Sequence, residues 1–246
     1  MTLVDVHLHL AACAQRETLL DLARGAPMLL VSCTVNATEA AENLRLRSEL
    51  PERVRCFLGV HPSDATAQRP TEALGPLLAL CDGIGEIGLD EKYSSTAEGG
   101  AQMMAFRDQL EAAERLGKPV QVHSRGSERA CLDVLSTFRL RSVLMHWFEA
   151  EALVSEVVGR GYFVSVGPAI LYSKKVRRIA RALPGGSVLT ESDGPVAYAP
   201  LGSASGPALV ASVVYALAQA RGEAYPVVED RVEENAARFL SSERLI

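Results

Sequence analysis

Short apolar runs alternate with longer amphipathic stretches along the whole chain. Eight of the apolar runs have the length and composition of strands, and the stretches between them show helical spacing. The eight predicted strands are Leu3–His7, Met28–Cys33, Arg55–Val60, Gly83–Gly88, Pro119–His123, Ser142–His146, Tyr162–Val166 and Ser187–Asp193. Such alternation is typical of βα units around a parallel sheet. Eight units in 246 residues predict an α/β protein with a TIM (β/α)8 barrel, formed by one domain over residues 1–246.

The clearest predicted helix is the segment GAQMMAFRDQLEAAERLG, in which apolar residues recur near helical spacing. We expect its core-facing residues to be Met104, Phe106, Leu110, Ala113 and Leu116. Two terminal helices, near Ala208–Arg221 and Glu229–Leu240, would complete the outer ring of the barrel. The Pro- and Gly-containing segment Ala199–Pro207 is predicted to be a loop after the eighth strand.

The composition favours a soluble protein with a large core, since 48% of the residues are hydrophobic and 22% are charged. No apolar run approaches the length that crosses a bilayer, so we expect no membrane association. The segment MTLVDVHLHL has no basic residues before its apolar stretch, so it predicts a first strand and not a signal peptide. We therefore expect a cytoplasmic protein, and the sequence indicates no obligate protein partner.

Charge and cysteine content narrow the chemistry further. A net charge of −5 does not suggest a protein that coats nucleic acid non-specifically, so any nucleic-acid substrate must be held by local charge. The five cysteines are odd in number and form no CxxC pair, which predicts reduced, mostly buried thiols. Any metal in this chain would therefore be held by nitrogen and oxygen ligands.

All five histidines fall at or just after the ends of predicted strands, in DVHLHL, GVHP, VQVHSR and VLMHWF. Acidic residues occupy equivalent places in GEIGLD and LTESDGP. Because the carboxyl ends of barrel strands meet at one face, this pattern predicts a metal site there. The candidate residues are His7, His9, His61, Glu86, Asp90, His123, His146 and Asp193.

His7 and His9 form the most specific part of this pattern. Strand side chains alternate between faces, so residues separated by one position point the same way and can chelate one ion. Two half-buried histidines bonded to carbonyl groups are the alternative.

A buried Glu86 carboxylate would be costly unless cations bind it, although an arginine partner would also remove that cost. Glu191 has the inward parity of Asp193 but lies deeper, which favours a hydrogen bond to a ligand.

Together, the segments DVHLHL, GVHP, GEIGLD, VHSRGS, HWFEA and ESDGP resemble the TatD family of metal-dependent hydrolases, within the amidohydrolase superfamily. The resemblance implies a TIM barrel with two divalent cations and hydrolysis of phosphodiester bonds in DNA. By position, it assigns His7, His9, Glu86 and Asp193 to one ion. It assigns Glu86, His123 and His146 to the other, so that Glu86 bridges the two. Asp193 and Glu86 are the expected catalytic residues, with Asp193 orienting or deprotonating the attacking water.

Two residues near these segments are candidate substrate contacts. His61 precedes Pro62 and lies late in its loop, so we expect it to contact substrate or to brace the loop by a hydrogen bond. Arg125 has the parity of His123 and could grip a phosphate, or could pair with Asp90 or Glu91.

Other residues near the barrel mouth have an ordinary structural interpretation beside a functional one. The basic residues Lys174, Lys175, Arg177, Arg178 and Arg181 predict a solvated helix face, with phosphate attraction as the alternative. Trp147 and Phe148 could stack on bases, although burial is the default for the single tryptophan of the chain.

The substrate stays more open than the metal chemistry. The segment Ala199–Pro207 lacks the basic and amide residues common there in bacterial family members, which weakens the case for a nucleic-acid grip. Another ester, including the aminoacyl ester of a tRNA, or a small amide could be hydrolysed by the same metals. A barrel whose metal site only supports an interaction is a non-enzymatic alternative. The ligand set does not distinguish zinc, manganese, magnesium, cobalt and nickel.

Overall fold

The computed structural model of the chain describes residues 2–92 and 99–241. Eight parallel strands form one sheet in which each strand pairs with the next along the chain. Their bounds are β1 Leu3–Leu8, β2 Met28–Cys33, β3 Val54–Leu58, β4 Gly83–Gly88, β5 Val120–His123, β6 Val143–Met145, β7 Phe163–Val166 and β8 Val188–Thr190. Almost every strand residue is buried, as expected when side chains fill a barrel interior on one face and pack under helices on the other.

The first and last strands approach each other and nearly close the barrel. The Thr190 hydroxyl donates to the Val4 carbonyl across 2.6 Å, and the Asp193 backbone N–H donates to the His7 carbonyl across 2.9 Å. The predicted TIM barrel is confirmed. The strands at the sixth and eighth positions end earlier than the sequence predicts, which leaves His146 and Asp193 just beyond them.

The α-helices lie between and after the strands. Their bounds are α1 Arg16–Gly25, α2 Ala40–Glu49, α3 Pro70–Leu74, α4 Leu77–Leu80, α5 Gly99–Leu116, α6 Glu128–Leu135, α7 Val154–Gly159, α8 Lys174–Ala182, α9 Val210–Arg221 and α10 Tyr225–Leu240. Of the five residues predicted to form the core face of α5, Phe106, Leu110 and Ala113 are buried and Met104 is half-buried. Leu116 is 37% exposed, so that part of the prediction is wrong: it lies in the last turn, beyond the packed part of the helix.

The segment after β8 differs from the predicted loop. A two-stranded hairpin, β9 Ala197–Tyr198 and β10 Ser203–Ala204, turns through a 3₁₀ segment at Ala199–Leu201. Its turn ends at Gly202, whose φ of 70° is left-handed and therefore suits glycine. Tyr198 is buried by this hairpin. The hairpin places its residues over the carboxyl end of the barrel, beside the candidate site.

The expectation for the cysteines is met within the described residues. All five cysteines are buried free thiols, as the odd count and the missing CxxC spacing predict. Across residues 2–92 and 99–241, none of the helices has both the length and the apolar character of a membrane-crossing segment.

Candidate metal centre

The strand-end histidines and acids converge on one carboxylate, Glu86. Glu86 lies in β4 and is almost fully buried. Its atom Oε2 lies 3.4 Å from Nε2 of His7 and 3.4 Å from Nε2 of His9. Both of these nitrogens are also 3.6 Å from Oδ1 of Asp193. His7, His9, Glu86 and Asp193 are thus brought together, as the resemblance implies for one ion.

The other oxygen of Glu86 faces a different set of imidazoles. Oε1 lies 2.8 Å from Nδ1 of His123, 3.6 Å from Nε2 of His146 and 3.8 Å from Nε2 of His61. The two oxygens of Glu86 thus face different groups of histidines, an arrangement that the resemblance implies for a bridging carboxylate.

A hydrogen bond fixes the tautomer of His7. Gln121 donates its Nε2 group to the Val6 carbonyl across 2.7 Å, so its Oε1 atom is an acceptor. Nδ1 of His7 lies 2.6 Å from that oxygen and must donate to it. In the neutral ring, which a bound cation requires, Nε2 of His7 therefore carries the lone pair. It is buried and has no hydrogen-bond partner among the residues that the structure describes.

His9 and His146 are oriented in the same manner. Nδ1 of His9 lies 3.2 Å from the Cys33 carbonyl, and Nδ1 of His146 lies 2.8 Å from Oε2 of Glu191. A carbonyl or a carboxylate can only accept, so in both rings Nε2 is left as the atom with a lone pair toward Glu86. Glu191 thus contacts a candidate ligand from below, where its parity and depth place it.

His123 faces the centre through its other nitrogen. Nδ1 contacts Glu86, whereas Nε2 lies 2.7 Å from Oδ2 of the buried Asp90. These two carboxylates raise the pKa of His123 to about 9, although burial acts in the opposite direction. Gly88 permits this arrangement, because a Cβ atom there would lie 1.9 Å from the His123 carbonyl oxygen. Asp90 therefore orients His123.

His61 is closer to the cluster than its late loop position suggests. It also braces its loop, since the Ser63 backbone N–H donates to Nδ1 across 3.1 Å. Nδ1 is thus an acceptor, and in the neutral ring the proton sits on Nε2, the atom directed toward Glu86. Burial lowers the pKa of His61 to about 4, which keeps the ring neutral. With its proton on Nε2, His61 is better suited to donate a hydrogen bond into the site than to bind a metal ion.

Asp193 is held by its neighbours in a backbone conformation that is unusual for a residue with a side chain. Its φ of 53° is left-handed, which aspartate tolerates better than most residues do. The preceding residue, Ser192, donates its backbone N–H and its hydroxyl to the fully buried carboxylate of Asp5, across 2.8 and 2.5 Å. Burial raises the pKa of Asp5 to about 7. Asp5 thereby connects β1, which positions His7, to the loop that positions Asp193.

The donor set fits divalent cations. Burial opposes the charge on Glu86, yet the surrounding histidines, including the hydrogen-bonded His123, hold its pKa well below the usual range. Hydrogen bonds direct the lone pairs of three imidazoles inward, and the orphaned Nε2 of His7 is a buried acceptor that a cation would satisfy. Three groups of residues each bring their ligand atoms within 4.8 Å of one another. They are His7, His9 and Glu86; His7, His146 and Asp193; and His61, Glu86 and His123.

A cavity of about 940 Å³ opens above the cluster. One part of its wall carries the cationic side chains of Lys92 and Arg125, and another carries Trp147, Tyr172 and Lys175. A cavity of this size suits a small ligand or the end of a larger one. Arg125 is exposed and lines the cavity, as its parity with His123 predicts, and its backbone carbonyl accepts from Glu91.

The basic residues Arg177 and Arg178 of α8 make contacts that stabilise the fold. Arg177 donates to the carbonyls of Ile170 and Leu171, and Arg178 pairs with Glu151 across 3.0 Å. Lys175 is the basic residue of α8 that lines the cavity, and it contacts Glu149 across 3.2 Å. Phosphate attraction is therefore restricted to Lys175 at most.

Sequence reasoning missed Gln121 and the role of Asp90. Gln121 has the strand parity of His123, so the segment VQVHSR held a signal that could have identified it. The contact of Asp90 with His123 joins two strand ends and could not be read from either segment alone.

Comparisons with known proteins agree on one family. The family model described as TatD related DNase matches residues 4–241. The human protein named deoxyribonuclease TATDN3 is 30% identical over 213 residues, with 78% of each chain covered. The Mycobacterium tuberculosis protein named uncharacterized metal-dependent hydrolase TatD is 28% identical over 78% of this chain and 80% of its own. The crystal structure of YjjV, a TatD homologue from Escherichia coli, superposes with a TM-score of 0.85 at 24% identity and covers 96% of both chains.

Proposed function

Because the chain belongs to the TatD related DNase family and is a metal-dependent hydrolase, we propose that it hydrolyses phosphodiester bonds in DNA with two divalent cations. His7, His9, Glu86 and Asp193 would hold one cation, and Glu86, His123 and His146 would hold the other. The observation that carries this proposal is the division of Glu86, whose Oε2 faces His7 and His9 while Oε1 faces His123 and His146. The name of the human relative, a deoxyribonuclease, supports DNA as the substrate.

Hydrogen bonds from residues around the site orient the histidines that would bind the cations. Gln121, the Cys33 carbonyl and Glu191 fix the rings of His7, His9 and His146, and Asp90 fixes His123. When bound, divalent cations would polarise a phosphoryl oxygen and lower the pKa of a water molecule. A site so oriented loses little entropy when it binds its ions, which favours tight binding.

Side chains of the protein have the other roles in the proposed reaction. Asp193 lies beside His7 and His9 at the mouth of the barrel, where its carboxylate accepts the proton that the attacking water loses. The neutral ring of His61 directs its Nε2–H group toward the same centre, where it donates a hydrogen bond to a phosphoryl oxygen. Arg125 and Lys92 line the cavity and attract the neighbouring phosphates of the strand. The P–O bond to the leaving group breaks, the water oxygen becomes bonded to phosphorus, and the proton that Asp193 accepted passes to the leaving oxygen, which departs as an alcohol.

A substrate panel tests the proposal. The protein is freed of metal, reloaded separately with zinc, manganese, magnesium, cobalt or nickel, and given single-stranded DNA, a carboxyl ester, an aminoacyl-tRNA and a small amide. We expect metal-dependent cleavage of DNA that Glu86→Gln abolishes. Turnover of the carboxyl ester, aminoacyl-tRNA or amide with no cleavage of DNA would replace this proposal by another hydrolase activity of the same centre.

A further inference from the structure

Trp147 forms part of the cavity wall directly beside the metal centre. It follows His146 in the chain, and its indole centroid lies 6.2 Å from the imidazole centroid of His146 at an interplanar angle of 84°. The side chain is half-buried and lines the cavity. Trp147 packs against the hydrophobic core on one side and lines the cavity with the rest of its surface, so burial in the core describes it only in part. The indole therefore borders the space above the candidate ligand His146.

Several contacts fix the orientation of the indole. One side stacks on the buried ring of Tyr198, with centroids 5.2 Å apart and an interplanar angle of 23°. Its Nε1–H donates to Oε1 of Glu149 across 3.3 Å, and Lys175 contacts the other oxygen of Glu149 across 3.2 Å. The ring is thus held in place before any substrate arrives, which reduces the entropy lost on binding.

The backbone of Trp147 is strained. Its φ of 41° is left-handed, a conformation that a bulky residue adopts only at a cost in stability. In this structure the left-handed conformation turns the chain immediately after His146. Such strain at the wall of a functional cavity is expected where the position of the side chain serves the ligand.

The cavity is lined by both apolar and cationic side chains. Val196, Ala197 and Pro200, from the hairpin region after β8, continue the apolar surface. Lys92 and Arg125 carry the cationic surface elsewhere in the same cavity. A ligand that matches both kinds of surface has a flat apolar group and an anionic group, and a nucleotide has this form.

We propose that Trp147 is a specificity-determining residue, which stacks on the nucleobase of the nucleotide joined to the scissile phosphate. This inference rests on the proposed function and names the part of the substrate that the centre recognises beside the phosphate. Every base has a π-face, so stacking on Trp147 selects for the presence of a base and not for its sequence. Glu149 and Tyr198 are positioning residues, because they act through the indole.

Fluorescence tests the stacking without any turnover. Trp147 is the only tryptophan in the chain, so the indole emission of the metal-loaded wild-type protein reports on this residue alone. We expect saturable quenching by a deoxynucleoside 5′-monophosphate and much weaker quenching by 2-deoxyribose 5-phosphate, which has no base. Equal quenching by both compounds, or quenching by neither, would overturn the assignment even if the protein cleaves no phosphodiester.

Kinetics test the consequence for the reaction. For a dinucleotide, Trp147→Leu should lower kcat/KM about tenfold more than it does for the same compound with an abasic site, because base stacking on an aromatic ring contributes about 1–3 kcal/mol. Trp147→Phe should restore most of the preference. Tyr215→Leu removes an exposed aromatic on α9 and serves as the control, with unchanged kinetics expected.

The outcomes separate this inference from the function on which it rests. Cleavage of the dinucleotide by the wild type, with equal losses in Trp147→Leu on base-bearing and abasic substrates, would mean that Trp147 only supports His146. Metal content measured on each variant identifies any such loss of the centre. If the wild type cleaves no phosphodiester, the proposed function fails, and the fluorescence titration still decides whether Trp147 binds a base.

Discussion

Nδ1 of His7 lies 2.6 Å from Oε1 of Gln121, and this contact determines which nitrogen of His7 faces the centre of the barrel. Gln121 can accept only through that oxygen, because its amide group donates to the Val6 carbonyl. An uncharged residue thereby controls the availability of a lone pair on a candidate ligand. The same logic extends to Glu191 beneath His146 and to Asp90 beside His123.

Gln121→Leu should weaken metal binding while leaving the barrel folded. Without the acceptor, the proton of His7 is free to occupy either nitrogen, and we expect the affinity for metal to fall by about 10–100-fold. Competition with a chromophoric chelator measures this. Asn235→Leu is a matched control. Asn235 is a buried amide that donates hydrogen bonds to the carbonyls of Gly185, before β8, and Val188, at its start. An unchanged affinity in Gln121→Leu would show that the tautomer of His7 is fixed in another way.

The fold was predictable from the sequence because each strand is a short apolar run of nearly continuous burial. The segment Met28–Cys33 is buried at every position and was predicted with the bounds that the structure has. The ends of β6 and β8 were less predictable, since the chain continues toward the centre after its strand pairing stops. His146 and Asp193 lie in these short extensions.

Contacts between strand ends were the least accessible from the sequence. Residues of one strand share a face by parity, which predicts the common direction of His7 and His9. The approach of His61 to Glu86 depends on the path of a loop, and the stack of Trp147 on Tyr198 depends on a hairpin that the composition of its segment did not indicate. Such contacts depend on the closed barrel and its loops, and no local pattern encodes them.

Asp193→Asn should reduce kcat by about a hundredfold or more with the fold intact, because we propose that this carboxylate accepts the proton of the attacking water. Asparagine tolerates a left-handed backbone, so the φ of 53° at this position is preserved and the substitution tests the charge. Single-turnover kinetics isolate the chemical step. Asp133→Asn, at an exposed carboxylate of α6 that pairs with Arg129, is the control. An undiminished chemical step in Asp193→Asn would exclude the role.

Arg125→Gln should raise KM for a phosphodiester more strongly than KM for an uncharged ester. The guanidinium lines the cavity beside His123, where it can attract a phosphate, and added salt should weaken the same contact through screening. Steady-state kinetics at two ionic strengths measure both effects. Arg129→Gln on α6 removes a charge that pairs with Glu156 and serves as the control. Equal increases in KM for both substrates would assign Arg125 to support of the fold or the metals.

The bridging role of Glu86 is the central claim, and the metal content of purified variants tests it most directly. Elemental analysis after dialysis should find two divalent ions in each wild-type chain, loss of both in Glu86→Gln, and loss of mainly one in His123→Ala. Glu191→Gln is the matched control, because Glu191 is a buried carboxylate of the same cluster that contacts His146 from outside, and it should retain both ions at reduced affinity. Two ions retained at full affinity in Glu86→Gln would contradict the account.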